Sequence, residues 1–143
     1  MIIYRKFQEK DIESIRDILD KDLGYNVVFS DLKARIEEMT QRGNYHIFVA
    51  CDQEKIVGYA GFTTFLAFEV DNEAVKILAL AVKADYRRQG IGKGLMNEVE
   101  IFAKMNSMNV LSLNSGLVRE DAHKFYESIG YYKKSYGFIK NLS

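Results

Sequence analysis

Several residue types that often mark a specialised protein are scarce or absent in this chain of 143 residues. There is no proline, and no low-complexity tract or internal repeat is seen, so nothing marks a linker between domains. The single cysteine, Cys51, excludes an internal disulfide and favours a reducing compartment, so we predict a cytoplasmic location. We therefore expect one α/β domain that spans residues 1–143.

An excess of charge of either sign is also missing. Acidic and basic residues number 20 each, so the formal net charge at pH 7 is zero. A chain without net charge is not attracted as a whole to nucleic acid or to an anionic membrane. No apolar run approaches the roughly 20 residues that cross a bilayer. The segment Met1 to Phe7 has no apolar region of signal-peptide length. We expect neither a nucleic-acid partner nor a membrane partner.

What is present is a hydrophobic periodicity that alternates between strands and helices. Asp11 can cap a first helix, Ser30 or Asp31 a second that ends at Gly43, and a later helix ends at Gly130. Strands are expected at residues 2–7, 45–51, 56–65, 75–82 and 110–114, with a last strand in the aromatic tail at 131–139. With one more helix after residue 82, the predicted order is β-α-α-β-β-β-α-β-α-β.

The segment that follows residue 82 combines glycine with positive charge. Gly90 and Gly92 lack side chains, so backbone N–H groups there can closely approach a bulky anion. The helix that follows adds free N–H groups and the positive end of its dipole, and formal charge comes from Arg87, Arg88 and Lys93. The alternative is a connecting turn, in which mutually repelling cations and helix-weakening glycines have no explanation. We favour a pyrophosphate site.

Two common phosphate-binding motifs do not fit this segment. A P-loop requires lysine directly after its last glycine, whereas Leu95 follows Gly94. The dinucleotide fingerprint requires a third glycine at position 95 and an acidic residue about 20 positions after the motif. Neither is present, since residues 111–113 read Leu-Ser-Leu.

The chain resembles the GNAT N-acetyltransferase superfamily. Residues 87–92, Arg-Arg-Gln-Gly-Ile-Gly, match that family's motif [RQ]xxGx[GA]. Residues 80–82 resemble its cofactor-side strand, and residues 122–131 resemble its AxxFYxxxGF segment. The resemblance covers roughly residues 45–140 in order and spacing. It implies an α/β fold with a mixed, mostly antiparallel central sheet flanked by helices, in which splayed strands form a cleft for CoA.

The resemblance also implies the roles of individual residues. Acetyl-CoA would lie between the strand that ends at Val82 and the strand that ends at Asn114, with coenzyme A as product. Tyr126 would lie near the thioester sulfur and protonate the departing thiolate, because a hydroxyl with a pKa of about 10 keeps its proton at neutral pH. The alternative for Tyr126 is an amphipathic core tyrosine. The implied cofactor-binding residues are Leu80, Ala81, Val82, Arg87, Arg88, Gln89, Gly90, Ile91, Gly92, Lys93, Asn114 and Tyr126.

The chain departs from the family pattern where a catalytic base would be sought. Lys76 stands where some members have a glutamate on the cofactor-side strand, and Arg119 where many have asparagine. Glu73 is our candidate catalytic base, acting through a water on the acceptor ammonium. Two alternatives stay open for the acidic stretch 69–73: a solvated hairpin, or electrostatic attraction of a cationic amine. The two histidines lack metal-ligand partners in sequence, so no metal site is predicted.

These features predict an N-acetyltransferase that moves an acetyl group from acetyl-CoA to an amine of a small molecule or peptide in a ternary complex. One alternative is a non-catalytic acyl-CoA-binding regulatory module, which needs neither Tyr126 nor a base. Another is an interaction protein that dimerises through the aromatic tail, which leaves the glycine-arginine segment unexplained. The acceptor and the oligomeric state stay open, and the resemblance suggests a homodimer.

Overall fold

The computed structural model describes all residues from Met1 to Ser143, and the chain forms two compact units, residues 1–112 and 113–143. The first unit contains β1 (Ile2–Lys6), α1 (Ile12–Lys21), α2 (Phe29–Arg42), β2 (Tyr45–Asp52), β3 (Lys55–Phe65), β4 (Ala74–Val82) and α3 (Ile91–Met105). A short strand, β5 (Leu111–Leu113), lies at the boundary, and the second unit contains α4 (Glu120–Ser128). Short 3₁₀ turns occur at Glu9–Asp11 and Ala84–Tyr86.

The five strands form one sheet in chain order, and β1 to β4 pair in antiparallel fashion. The N–H of Val75 donates to the carbonyl of Val110 at 2.9 Å, which links the start of β4 to the residue before β5. Since β5 has three residues and β4 has nine, β5 can match only part of that edge of β4. The predicted α/β class, with a central sheet flanked by helices, is confirmed.

Both faces of the sheet are covered, which explains why the sequence of β4 is almost continuously apolar. On one face, α1 and α2 contribute Ile12, Ile15, Ile18, Leu32 and Ile36 to a core with the sheet residues Val49, Tyr59 and Ala81. The apolar stripe of α3 is buried as well, through Leu95, Met96, Val99 and Ala103. Phe102 of α3 lies edge-on to Phe62 of β3, with ring centroids 5.1 Å apart.

The N-terminal end of α1 is organised by a partly buried ion pair between Arg5 and Asp11. Asp11 is only 3% exposed, and its carboxylate accepts bonds from both terminal nitrogens of Arg5, at 2.7 and 2.9 Å. It also accepts the backbone N–H of Gln8 at 2.8 Å. Asp11 therefore stands at the predicted N-cap of α1, but its side chain makes no capping bond to that helix, because Arg5 and Gln8 occupy its oxygens.

Besides the capping role of Asp11, two predicted features of the chain are wrong. The second helix begins at Phe29 after Val28, so Ser30 and Asp31 lie within its first turn and do not cap it. The predicted tail strand at 131–139 is not formed, and residues 131–143 have no regular secondary structure. Tyr132, Tyr136 and Phe138 are exposed, so the tail has the residue types of a strand without the burial that stabilises one.

Candidate active site

The start of α3 is built to leave backbone N–H groups free. Gly90 is its N-cap residue and has φ 80°, a left-handed conformation that glycine adopts without steric cost. The first hydrogen bond of the helix runs from the N–H of Gly94 to the carbonyl of Gly90, at 2.9 Å. The N–H groups of residues 91–93 therefore have no partner within the helix. A left-handed residue followed by helical residues directs successive N–H groups into one concavity that suits an anion.

The residues that lead into this concavity, 87–90, are all exposed, and we call residues 87–93 the diphosphate loop. Arg88 has φ 64°, a conformation that costs a residue with a side chain roughly 1–2 kcal/mol. Strain of this kind accumulates at functional sites, where the surrounding structure maintains it. Neither Arg88 nor Lys93 forms an ion pair, so two cations in the loop are free to meet an anion.

Arg87 is different, because its side chain is already engaged by the protein. Its Nε donates to the carbonyl of Val82 at 3.2 Å, and a terminal nitrogen lies 4.0 Å from a carboxylate oxygen of Asp22. The same oxygen of Asp22 accepts the N–H of Ala84 at 2.9 Å. The three cations of the loop look equivalent in the sequence, whereas the structure separates Arg87 from the other two.

The strand predicted to hold the pantetheine, β4, pairs along one edge with β3. Residues 80–82 are matched to Ala60, Tyr59 and Gly58 in register. Just before them the register shifts, because Gly61 opposes Ala79 and Phe62 opposes Ile77. Leu78 is the extra residue of this β-bulge, and 49% of it is exposed. A bulge bends a strand and redirects its side chains. The sequence gives no sign of this bulge, because residues 77–79, Ile-Leu-Ala, carry no turn signal.

The predicted proton donor, Tyr126, belongs to α4 in the second unit. Its ring is half-buried, with the rings of Phe125 and Tyr131 at centroid distances of 5.2 and 6.0 Å. Burial raises the pKa of Tyr126, although the positive charge of Arg119 acts in the opposite direction. The hydroxyl therefore keeps its proton throughout the neutral range, as a proton donor must.

Asn114, the last of the predicted cofactor residues, also belongs to the second unit. It follows β5 and is exposed. A methyl group built on Gly137 would lie 3.8 Å from the amide nitrogen of Asn114. The amide is therefore adjacent to the tail, in a position where it is accessible to a ligand.

Glu73, the candidate base, lies directly before β4 and is half-buried. Its charge reaches His46: burial lowers the pKa of His46 and Lys6 lowers it further, while Glu73 acts to raise it. Five residues of chain lead from Glu73 to Leu78, about 16 Å if fully extended. Lys76, between them on β4, is half-buried and forms no ion pair.

The comparisons with known proteins agree with this geometry. The model of the acetyltransferase (GNAT) family matches residues 12–131. An uncharacterized N-acetyltransferase, YhdJ, of Bacillus subtilis (strain 168) is 31% identical over 107 residues, which are 74% of this chain and 75% of that protein. Human N-acetyltransferase 8 is 29% identical over 101 residues, and the match spans 71% of this chain but only 44% of that protein.

Solved structures of acetyltransferases share the fold over nearly the whole chain. A GNAT family acetyltransferase of Staphylococcus aureus superposes with a TM-score of 0.82 and 30% identity, covering 99% of this chain and 98% of the other. AAC(6')-Iy in complex with the bisubstrate analogue CoA-S-monomethyl-acetylneamine superposes with a TM-score of 0.86 over 100% and 99% of the two chains. At 15% identity, that second likeness shows the fold alone. No helix of the present structure is long and apolar enough to cross a membrane.

Proposed function

This chain belongs to the GNAT acetyltransferase family, and from that premise we propose that it transfers the acetyl group of acetyl-CoA to an amine of a small molecule or a peptide. Transfer is direct, with donor and acceptor bound together. The observation that carries the proposal is the diphosphate loop. Free N–H groups at the start of α3 stand beside two unpaired cations, in the segment that matches the family's motif.

The residues of the chain fit the donor as follows. The diphosphate would be bound by the N–H groups of residues 91–93 and by the charges of Arg88 and Lys93, with Gln89 beside them. Backbone groups of residues 80–82 would pair with the pantetheine, and the resemblance to the family also assigns Asn114 to the cofactor. Bound acetyl-CoA supplies an acetyl group activated as a thioester. No carboxylate lies within residues 86–93 to oppose the charge of the diphosphate.

Tyr126 is the proposed acid of the reaction. When an acceptor amine displaces the thiolate, the hydroxyl of Tyr126 donates its proton to the sulfur. The raised pKa of this hydroxyl supports that role, because an ionised tyrosine could not donate. Holding donor and acceptor in one orientation supplies a further part of the rate.

The proposed base is Glu73, acting through water on the ammonium form of the acceptor. Glu73 lies directly before β4, and Lys76 stands where some family members have a glutamate on that strand, so we propose a water-mediated path instead of direct contact. The electrostatic alternative also stays open, since Glu69, Asp71 and Glu73 attract a cationic amine without accepting its proton.

Thermal unfolding with and without acetyl-CoA tests the donor site. Wild type should be stabilised by about 2.7 kcal/mol when the ligand is at about 100 times its dissociation constant. Gly92→Glu puts a carboxylate at the start of α3 and should lose this stabilisation while it stays folded. Gly116→Glu adds the same charge outside the loop and should keep it. No stabilisation of wild type at millimolar acetyl-CoA would overturn the proposal.

Thiol release from acetyl-CoA with a panel of amines then separates an enzyme from a binding module. The panel holds amino acids, amino sugars, aminoglycosides, polyamines and peptides. Binding of acetyl-CoA without thiol release across this panel would favour the non-catalytic module.

Three broader features complete the proposal. The family model spans parts of both compact units, which supports treating residues 1–143 as one domain. The cytoplasmic location rests on the single cysteine, Cys51, which is free and buried. The homodimer rests on the resemblance to the family.

A further inference from the structure

We propose that Asp22 is a positioning residue for the diphosphate loop, and that Arg87 acts with Asp22 instead of contacting the diphosphate. The proposal rests on acetyl-CoA as the donor. It divides the charges of the loop into two groups: Arg88 and Lys93 meet the ligand, whereas Arg87 and Asp22 fix the shape of the loop that presents them.

Asp22 terminates α1 as its C-cap residue and lies beside the start of the loop. Only 10% of its side chain is exposed. One carboxylate oxygen accepts the N–H of Ala84 at 2.9 Å and lies 4.0 Å from the guanidinium of Arg87. Asp22 therefore contacts both the first residue of the turn after β4 and the first residue of the loop.

The side chain of Arg87 is directed toward the protein. Its Nε donates to the carbonyl of Val82, so the side chain turns back toward the end of β4. Asp22 lies at that same end. The guanidinium of Arg87 thus has one N–H donor bonded to a backbone carbonyl and a carboxylate at ion-pair distance, whereas Arg88 and Lys93 have no ion-pair partner.

The turn Ala84–Tyr86 has a second anchor besides Asp22. The hydroxyl of Tyr86 donates to a carboxylate oxygen of Asp52 at 2.8 Å, and the ammonium of Lys55 lies 5.4 Å from the centre of the Tyr86 ring. The turn Ala84–Tyr86 is thus held at its first residue by Asp22 and at its last by Asp52. Such a turn can fix the path of the strained residues that follow before any ligand arrives.

The direction in which acetyl-CoA affinity changes when Asp22 is neutralised distinguishes a positioning role from a purely electrostatic one. A carboxylate beside an anion-binding loop repels the ligand, so charge alone predicts tighter binding of acetyl-CoA when Asp22 is neutralised. If Asp22 positions the loop, its neutralisation weakens binding instead. The two roles therefore predict opposite changes from one substitution.

The test is a double-mutant cycle of Asp22→Asn and Arg87→Gln, with dissociation constants measured for acetyl-CoA and for acetyl-pantetheine, which lacks the diphosphate. Each single variant should bind acetyl-CoA about tenfold more weakly, and the double variant no more weakly than the weaker single one. Binding of acetyl-pantetheine should not change. Asp20→Asn, an exposed aspartate on the same helix, is the matched control and should behave as wild type.

Three results would overturn the inference alone: tighter binding by Asp22→Asn, additive losses in the cycle, or an equal loss for both ligands. If Asp22→Asn fails to fold, the salt dependence of acetyl-CoA binding gives a second readout, which is measured on variants of exposed residues. Arg88→Gln should flatten the dependence of acetyl-CoA affinity on ionic strength, and Arg87→Gln should not; equal flattening by both contradicts the division of roles. A wild type that binds no acetyl-CoA overturns the proposed function, and this inference with it.

Discussion

A methyl group built on the Cα atom of Gly94 would lie 2.0 Å from the hydroxyl oxygen of Tyr4 and 2.3 Å from the ring carbon that bears it. Both distances are far below van der Waals contact. Tyr4 belongs to β1 and Gly94 to the first turn of α3, so the missing side chain lets strand and helix pack closely. Gly94 thus serves packing, although it stands two residues from Gly92 in the diphosphate loop.

Gly94→Ala should therefore destabilise the fold. Overpacking of this kind costs about 1–3 kcal/mol, and the better helix propensity of alanine returns about 1 kcal/mol. We expect a net loss of about 1 kcal/mol in the free energy of unfolding, measured by denaturant titration. In a Tyr4→Val background the clash is absent, so the same substitution should be neutral or stabilising. An equal loss in both backgrounds would show that Tyr4 is not the cause.

The glycines near the loop show which features the sequence could predict and which it could not. The motif at residues 87–92 identified the loop, and the structure places a left-handed residue at Gly90 and a helix start at Ile91, as an anion site requires. The distinct role of Gly94 could not be predicted, because it depends on a tyrosine 90 positions earlier in the chain. The engagement of Arg87 by Asp22 escaped prediction for the same reason.

Tyr126→Phe should reduce kcat by about 100-fold or more, the usual contribution of a positioned acid. The dissociation constant of acetyl-CoA should change little, since the ring is kept and only the hydroxyl is lost. The raised pKa of the hydroxyl means that wild-type kcat should not lose this acid until alkaline pH. Steady-state kinetics with the best amine of the panel measures kcat and its pH profile.

Tyr132→Phe is the matched control, because Tyr132 is an exposed tyrosine of the tail. It should leave kcat unchanged. If Tyr126→Phe also leaves kcat unchanged, Tyr126 is a core residue and the proton comes from elsewhere.

Glu73→Gln should lower kcat/KM at neutral pH, and the deficit should shrink as pH rises and more of the acceptor amine is already deprotonated. The same substitution removes a charge that raises the pKa of His46, so that pKa should fall further. NMR titration of His46 measures this fall and checks that the local structure is otherwise intact. A deficit that does not change with pH would instead favour the electrostatic role of the acidic stretch. Asp71→Asn, the exposed neighbour, is the control.

The regular elements were predictable from periodicity, but features that depend on distant partners were not. The five strands and four helices lie close to their predicted positions. The capping role of Asp11 was wrong because Arg5, in β1, occupies its carboxylate. The tail at 131–139 has the residue types of a strand, yet strand formation depends on a paired neighbour that local sequence does not specify.

The Arg5–Asp11 pair makes the stability of the fold depend on pH. Burial acts to raise the pKa of Asp11, but hydrogen bonds from Arg5 and from the N–H of Gln8, with the charge of Arg5, outweigh it and lower the pKa. A carboxyl whose pKa is lower in the folded state contributes its full stabilisation above its unfolded pKa, and loses it as pH falls through the folded value. Asp11→Asn should therefore cost about 1–2 kcal/mol at pH 7, since asparagine keeps one acceptor oxygen but loses the charge that pairs with the partly exposed Arg5. That difference from wild type should shrink below about pH 4.

Glu9→Gln, at an exposed acid of the same turn, is the control, and it should change the free energy of unfolding by no more than about 0.5 kcal/mol at pH 7 or at pH 3. Denaturant titrations at pH 7 and at pH 3 measure both differences. A difference for Asp11→Asn that persists undiminished at pH 3 and below would mean that shape, and not the charge of Asp11, holds this end of α1.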